Sequence, residues 1–152
     1  MGTALKGLPL NRPSRSYTGS IKRSDTRRKL LIIDDDRAFV VLAAAILRDA
    51  GYLVLEAYDA MQGFMYAQHD PPDLILLDML MPAGGGINML QKLQTVARLA
   101  TIPVVVVTAS TDDGLEEQVR AAGAVNLLRK PLDRDRMLAL VRQVIHDHSA
   151  PE

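Results

Sequence analysis

Leu30-Leu31-Ile32-Ile33-Asp34-Asp35-Asp36 is an apolar run that stops on three carboxylates. Leu74-Ile75-Leu76-Leu77-Asp78 ends the same way, with Met81-Pro82 close behind. A short apolar run bounded by turn formers reads as a strand buried on both faces, as in a parallel sheet. The carboxylates then stand at strand C-terminal ends, where open α/β sheets keep their ligand sites. On neighbouring strands they converge, and like charges held close raise one another's pKa unless a cation intervenes. Mg2+ takes oxygen ligands while keeping several waters, and suits such a cluster.

Working outward, the chain alternates strand and helix signals. Lys29–Ile33 is the first strand, and Asp36 is placed to cap a helix whose Phe39, Val40, Ala43, Ile46, Leu47 and Ala50 recur at helical spacing. Gly51 ends that helix, as a glycine commonly does. Tyr52–Glu56 is a second strand, Asp59 caps a short helix to about Ala67, and Asp73–Leu77 is the third strand. The stretch 82–86, Pro-Ala-Gly-Gly-Gly, reads as a loop before a helix from Ile87 to Arg98. Val104–Val107 is a fourth strand ending at Thr108, followed by a helix over Gly114–Ala122 closed by Gly123. Val125–Leu128 is a fifth strand, closed by Lys130-Pro131, and Asp133 begins a last helix. Five βα units imply an α/β, doubly wound five-stranded parallel sheet with five helices, for which a flavodoxin-like strand order is a known solution.

Composition narrows the function classes. The 152 residues include no cysteine, which excludes a disulfide framework, a thiolate metal site and a cysteine nucleophile. No apolar stretch approaches the roughly 20 residues of a membrane helix, and no signal-peptide apolar region opens the chain. A cytoplasmic location fits, with no membrane contact. The zero net charge conceals an asymmetry: residues 1–29 carry eight bases against Asp25, a net of +7, and the rest carries −7. Residues 1–28 lack an apolar period and read as a disordered basic tail, leaving 29–148 as the folded domain. A nucleic-acid partner is expected nowhere except through that tail.

Every candidate for chemistry falls at a strand end. Asp34 and Asp35 follow strand one, Asp78 strand three, Thr108 strand four and Lys130 strand five. Carboxylates, a hydroxyl and an ammonium on one rim suit phosphoryl chemistry. Asp78 would be the nucleophile, because a carboxylate forms an acyl phosphate. Mg2+ on the acidic groups would neutralise phosphoryl oxygens, Thr108 would donate a hydrogen bond to one, and Lys130 would supply fixed positive charge.

The four stretches LLIIDDD (30–36), DLILLDMLMP (73–82), VVVVTAS (104–110) and LLRKP (127–131) together resemble the receiver domain of two-component response regulators, related to the single-domain chemotaxis regulator. The resemblance covers about residues 29–147. It implies that Asp78 is the phosphoacceptor, that Asp34 and Asp35 are the acidic metal pair, and that Leu80 lends its backbone carbonyl to Mg2+. Thr108 would be the switch hydroxyl and Lys130 the lysine before proline. It also implies a histidine kinase or histidine phosphotransferase as donor, and a downstream protein target on the fourth helix, fifth strand and fifth helix, residues 114–146. The protein would be no enzyme, and a monomer or a phosphorylation-dependent homodimer. Two positions depart from the family pattern: Leu127 stands where many members carry an aromatic, and Gly84-Gly85-Gly86 where Asp-Gly is usual. No output domain follows the last helix in this sequence, so a stand-alone receiver is expected.

Two other readings compete. Asp34-Asp35-Asp36 fits the Asp-x-Asp pattern of haloacid-dehalogenase-like phosphatases, with Asp34 as nucleophile and Asp112-Asp113 imitating the later metal pair. That reading leaves Asp78 unexplained. A phosphorylation-independent binding module on the same scaffold leaves the whole acidic set, Thr108 and Lys130 unexplained.

Overall fold

The computed structural model describes residues 26–82 and 85–149. The strands are β1 (Lys29–Ile33), β2 (Leu53–Ala57), β3 (Leu74–Asp78), β4 (Val104–Thr108) and β5 (Asn126–Arg129). The helices are α1 (Arg37–Asp49), α2 (Ala60–His69), α3 (Gly85–Gln94), α4 (Ala97–Ala100), α5 (Leu115–Ala121) and α6 (Arg134–His148). All strand pairs are parallel, in the order β2-β1-β3-β4-β5. That is the flavodoxin-like order, whose switch point lies between β1 and β3.

Each strand sorts its side chains to two faces by the period-two rule. Leu31, Ile33, Ile75, Leu77, Val104, Val106 and Leu127 pack with residues of α2 to α5. Leu30, Ile32, Leu74, Leu76, Val105, Val107 and Leu128 pack with α1 and α6. The central strands β3 and β4 are buried along their whole length, which is why their sequences are unbroken apolar runs rather than alternations.

Local signals act as expected at several boundaries. Asp36, Asp59 and Asp133 cap α1, α2 and α6, each accepting a backbone N–H three residues on. Gly51 and Gly123 take φ of 104° and 113°, the left-handed geometry glycine tolerates after a helix.

Three expectations are corrected. Among the described residues there are six helices rather than five, because the helix expected over 87–98 divides. The Thr95 hydroxyl donates to the Lys92 carbonyl at 2.7 Å and Val96 turns extended, so α3 ends and the one-turn α4 begins. The expected glycine loop is also shorter. Gly85 and Gly86 already belong to α3 and are buried. A Cβ on Gly86 would lie 2.5 Å from Met79 Cα, so the glycine serves close backbone approach rather than flexibility. Strands β2, β3 and β5 each start and end one residue later than the apolar pattern suggests. The tail expected over 1–28 lies outside the described residues except for Thr26–Arg28. These three are exposed, with the Arg28 carbonyl accepting the Leu53 N–H at 2.9 Å. No helix among the described residues is long and apolar enough to cross a membrane.

Candidate functional site

The rim at the switch point collects the strand-end residues. Ile33, the last residue of β1, pairs with Leu77 of β3, so Asp34 and Asp78 emerge side by side. Asp34 and Asp78 are buried, at 1% and 5% exposure, and Asp35 is exposed. One carboxylate oxygen from each of Asp34, Asp35 and Asp78 lies within 4.8 Å of the others. Backbone N–H groups fix two of these side chains. The Asp36 N–H donates to Asp34 Oδ1 at 2.9 Å, and the Leu80 N–H donates to Asp78 Oδ1 at 3.1 Å.

Lys130 reaches this group from the far edge of the sheet. Its Nζ donates to Asp34 Oδ2 at 2.7 Å, lies 3.9 Å from Asp36 Oδ2, and sits 4.3 Å above the Phe39 ring. The lysine backbone is anchored too, its N–H donating to the Thr108 carbonyl at 2.8 Å. Thr108 is fully buried, and its Oγ1 accepts the Ser110 N–H at 3.2 Å. Leu127 is buried at 9% exposure in the core facing α2 to α5.

Asp78 feels the crowding. Burial, and then the neighbouring Asp34 carboxylate, push its carboxyl up from 3.8 to about 6, against the opposing pull of the Leu80 N–H and the Lys130 charge. The donor set offers only oxygens and carries more negative charge than Lys130 alone offsets. Hard divalent cations with oxygen preference fit such a set, and soft metals do not.

The structure thus brings Asp34, Asp35 and Asp78 together, with Lys130 bonded to Asp34, and sets Thr108 at the end of the strand beside Asp78. The Leu80 amide points at Asp78. Asp112 and Asp113 are exposed in the loop after β4, outside the carboxylate cluster, so the phosphatase-type metal pair gains no support. Two participants escaped the sequence reading. Phe39 belongs to the apolar face of α1 and is buried in the core, yet its ring also lies under the lysine ammonium. Arg129 carried no signal, yet its guanidinium spans the loop after Thr108. Neither contact has a sequence signature, since each joins a long side chain to a group on another element, a ring for Lys130 and backbone carbonyls for Arg129.

Comparison with known proteins identifies the family. The model of the response regulator receiver domain matches residues 30–142. The DNA-binding dual master transcriptional regulator RpaA of Synechocystis is 39% identical over 117 residues, which cover 77% of this chain. The chain spans 48% of the length of that regulator. Protein PilH of Pseudomonas aeruginosa is 29% identical over 77% of this chain and 97% of its own length. Among solved structures, chemotaxis response regulator CheY4 of Vibrio cholerae superposes with a TM-score of 0.74 at 27% identity, covering 78% of this chain and 99% of that one. The match to the family model runs from Leu30 in β1 into α6, and the chain belongs to the response regulator receiver domain family.

Proposed function

We propose that this receiver works as a stand-alone signalling module that takes a phosphoryl group from a phosphohistidine partner onto Asp78, with Mg2+, and reports it by protein contact. The observation that carries the reading is the convergence of Asp34, Asp35 and Asp78 within 4.8 Å, beside the ammonium of Lys130. The near-complete span of PilH supports treating residues 29–148 as one unit.

In this reading Asp78 Oδ1 stays on the Leu80 N–H while Oδ2 attacks phosphorus. The P–O bond to Asp78 forms as the P–N bond to the donor imidazole breaks, and the imidazole nitrogen keeps the electron pair. Asp34, Asp35, Asp78 and the Leu80 carbonyl are the groups that would hold Mg2+. When bound, the ion supplies the charge that offsets the carboxylates and the phosphoryl oxygens. Lys130 exchanges Asp34 for a phosphoryl oxygen, and Thr108 donates its hydroxyl to another. Asp78 titrates near 6 and is mostly ionised at neutral pH, so it is ready to attack. The phosphoryl group ends on the protein's own side chain, the behaviour of a switch rather than an enzyme. The surface that reports it is α5, β5 and α6, residues 114–146, at the sheet edge away from β2.

A small phosphodonor with Mg2+, followed by intact mass and peptide mapping, tests this. One phosphoryl group on Asp78, abolished by Asp78→Asn and by excess EDTA, is the expected result. Labelling on Asp34, or labelling unchanged in EDTA, would overturn it.

A further inference from the structure

Arg129 takes no part in the chemistry above, yet it is tied to the loop that the chemistry must move. It ends β5 as the Cα partner of Thr108. Its guanidinium crosses back over the loop after β4, with Nη1 donating to the Ser110 carbonyl and Nη2 to the Asp112 carbonyl at 3.2 Å. The same loop carries a relay of short-range bonds. The Ser110 N–H donates to Thr108 Oγ1, the Asp112 N–H to Ser110 Oγ at 3.1 Å, and the Gly114 N–H to Asp112 Oδ1 at 3.0 Å. Gly114 is the residue from which α5 starts. One hydrogen-bonded path therefore runs from the switch hydroxyl to the foot of α5, clamped from β5 by a single cationic fork.

Leu127 supplies no alternative link. It is buried and apolar, with no ring or hydroxyl to exchange positions with Thr108. We propose that Arg129 is the positioning residue that holds the 109–113 loop in its resting arrangement and couples the phosphoryl site to α5. The proposal rests on the receiver reading above. A Thr108 hydroxyl turning toward a phosphoryl oxygen on Asp78 carries Oγ1 with it. The Ser110 N–H then follows or loses its acceptor, and either way the Ser110 carbonyl shifts against the Arg129 fork. Hydrogen bonds made in one state only bias the equilibrium toward that state. Removing them tightens whatever ligand prefers the other state, by as much as the bias was worth. A planar fork spans two carbonyls at once, and a lysine ammonium is a point charge on a flexible stem.

The test uses the full chain as wild type, Arg129→Gln and Arg129→Lys. Each is titrated with beryllofluoride, a phosphoryl mimic, in Mg2+ and followed by backbone amide shifts over residues 109–129. Arg129→Gln should bind the mimic roughly 3–10-fold more tightly than wild type, the size expected for a modest bias. Before any mimic is added, its amides over 109–116 should already lie part-way toward their bound positions. Arg129→Lys should fall between the two. Wild-type affinity and wild-type starting shifts in Arg129→Gln would overturn the proposal, and so would weaker binding. A lowered melting midpoint with unchanged mimic affinity would also overturn it, leaving Arg129 a merely structural tie. A wild-type protein that does not bind the mimic would instead refute the receiver reading itself.

Discussion

Replacing Asp78 by asparagine should stabilise the metal-free protein while ending its chemistry. The side chain is buried, and its carboxyl is pushed up from 3.8 to about 6, first by burial and then by Asp34. A raised carboxyl means that between about pH 4 and pH 6 the folded state holds a proton the unfolded chain has released. The stability this proton contributes is complete below about pH 4 and lost as pH rises through about 6. Ionised Asp78 therefore weighs against folding at neutral pH and above. Moving from 3.8 to about 6 corresponds to roughly 3 kcal/mol at about 1.4 kcal/mol per pKa unit. Part of that belongs jointly to Asp34, so on the order of 1–2 kcal/mol should be recovered by the substitution. Asparagine keeps an oxygen for the Leu80 N–H and avoids the charge. Thermal melts in EDTA should show Asp78→Asn about 4–8 °C above wild type at pH 8, taking about 4 °C per kcal/mol for a domain of this size. The gap should shrink toward zero at pH 4, and should narrow in Mg2+, which relieves the carboxylates of wild type. A variant midpoint at or below wild type at pH 8, or a gap that ignores pH, would refute the reasoning.

Two further outcomes are expected. Lys130→Met leaves the buried Asp34 without its cation, and should lower urea stability by about 1–3 kcal/mol at pH 7, less than a fully buried pair because Lys130 keeps 15% exposure. Its phosphorylation rate should fall as well. Gly86→Ala forces a Cβ to 2.5 Å from Met79 Cα, and should lower stability measured by urea unfolding by about 1–3 kcal/mol.

The framework could be read from the chain because burial and sequence coincide there. β3 and β4 are buried at every residue, so each is one apolar run with a polar stop, and the stops Asp78 and Thr108 are the rim. Asp36 and Asp59 announced two caps, and Asp133 the start of the last helix, through short-range hydrogen bonds that local sequence encodes. The failures have a common cause in contacts between distant elements. Gly85 and Gly86 read as a loop because glycine is a poor helix former, yet the approach of Met79 demands a residue without Cβ inside α3. The break at Thr95 depends on a side-chain bond competing with the helix ladder. Of the site, the strand-end carboxylates were legible. The Phe39 ring beneath Lys130 and the fork of Arg129 were not, because long side chains choose partners across the sheet that no local pattern records.

The bond between Lys130 and Asp34 joins residues 96 positions apart. On a ribosome, Asp34 leaves the tunnel long before Lys130 has been made, and β5 is the last strand to be synthesised. Contacts of such long sequence separation must wait for the whole intervening chain, and they slow folding as a class. Until β5 has been made, an incomplete chain lacks the cation that pairs with the buried Asp34. A chain cut short before Lys130 should therefore leave the buried Asp34 without its cation and be unable to assemble the rim.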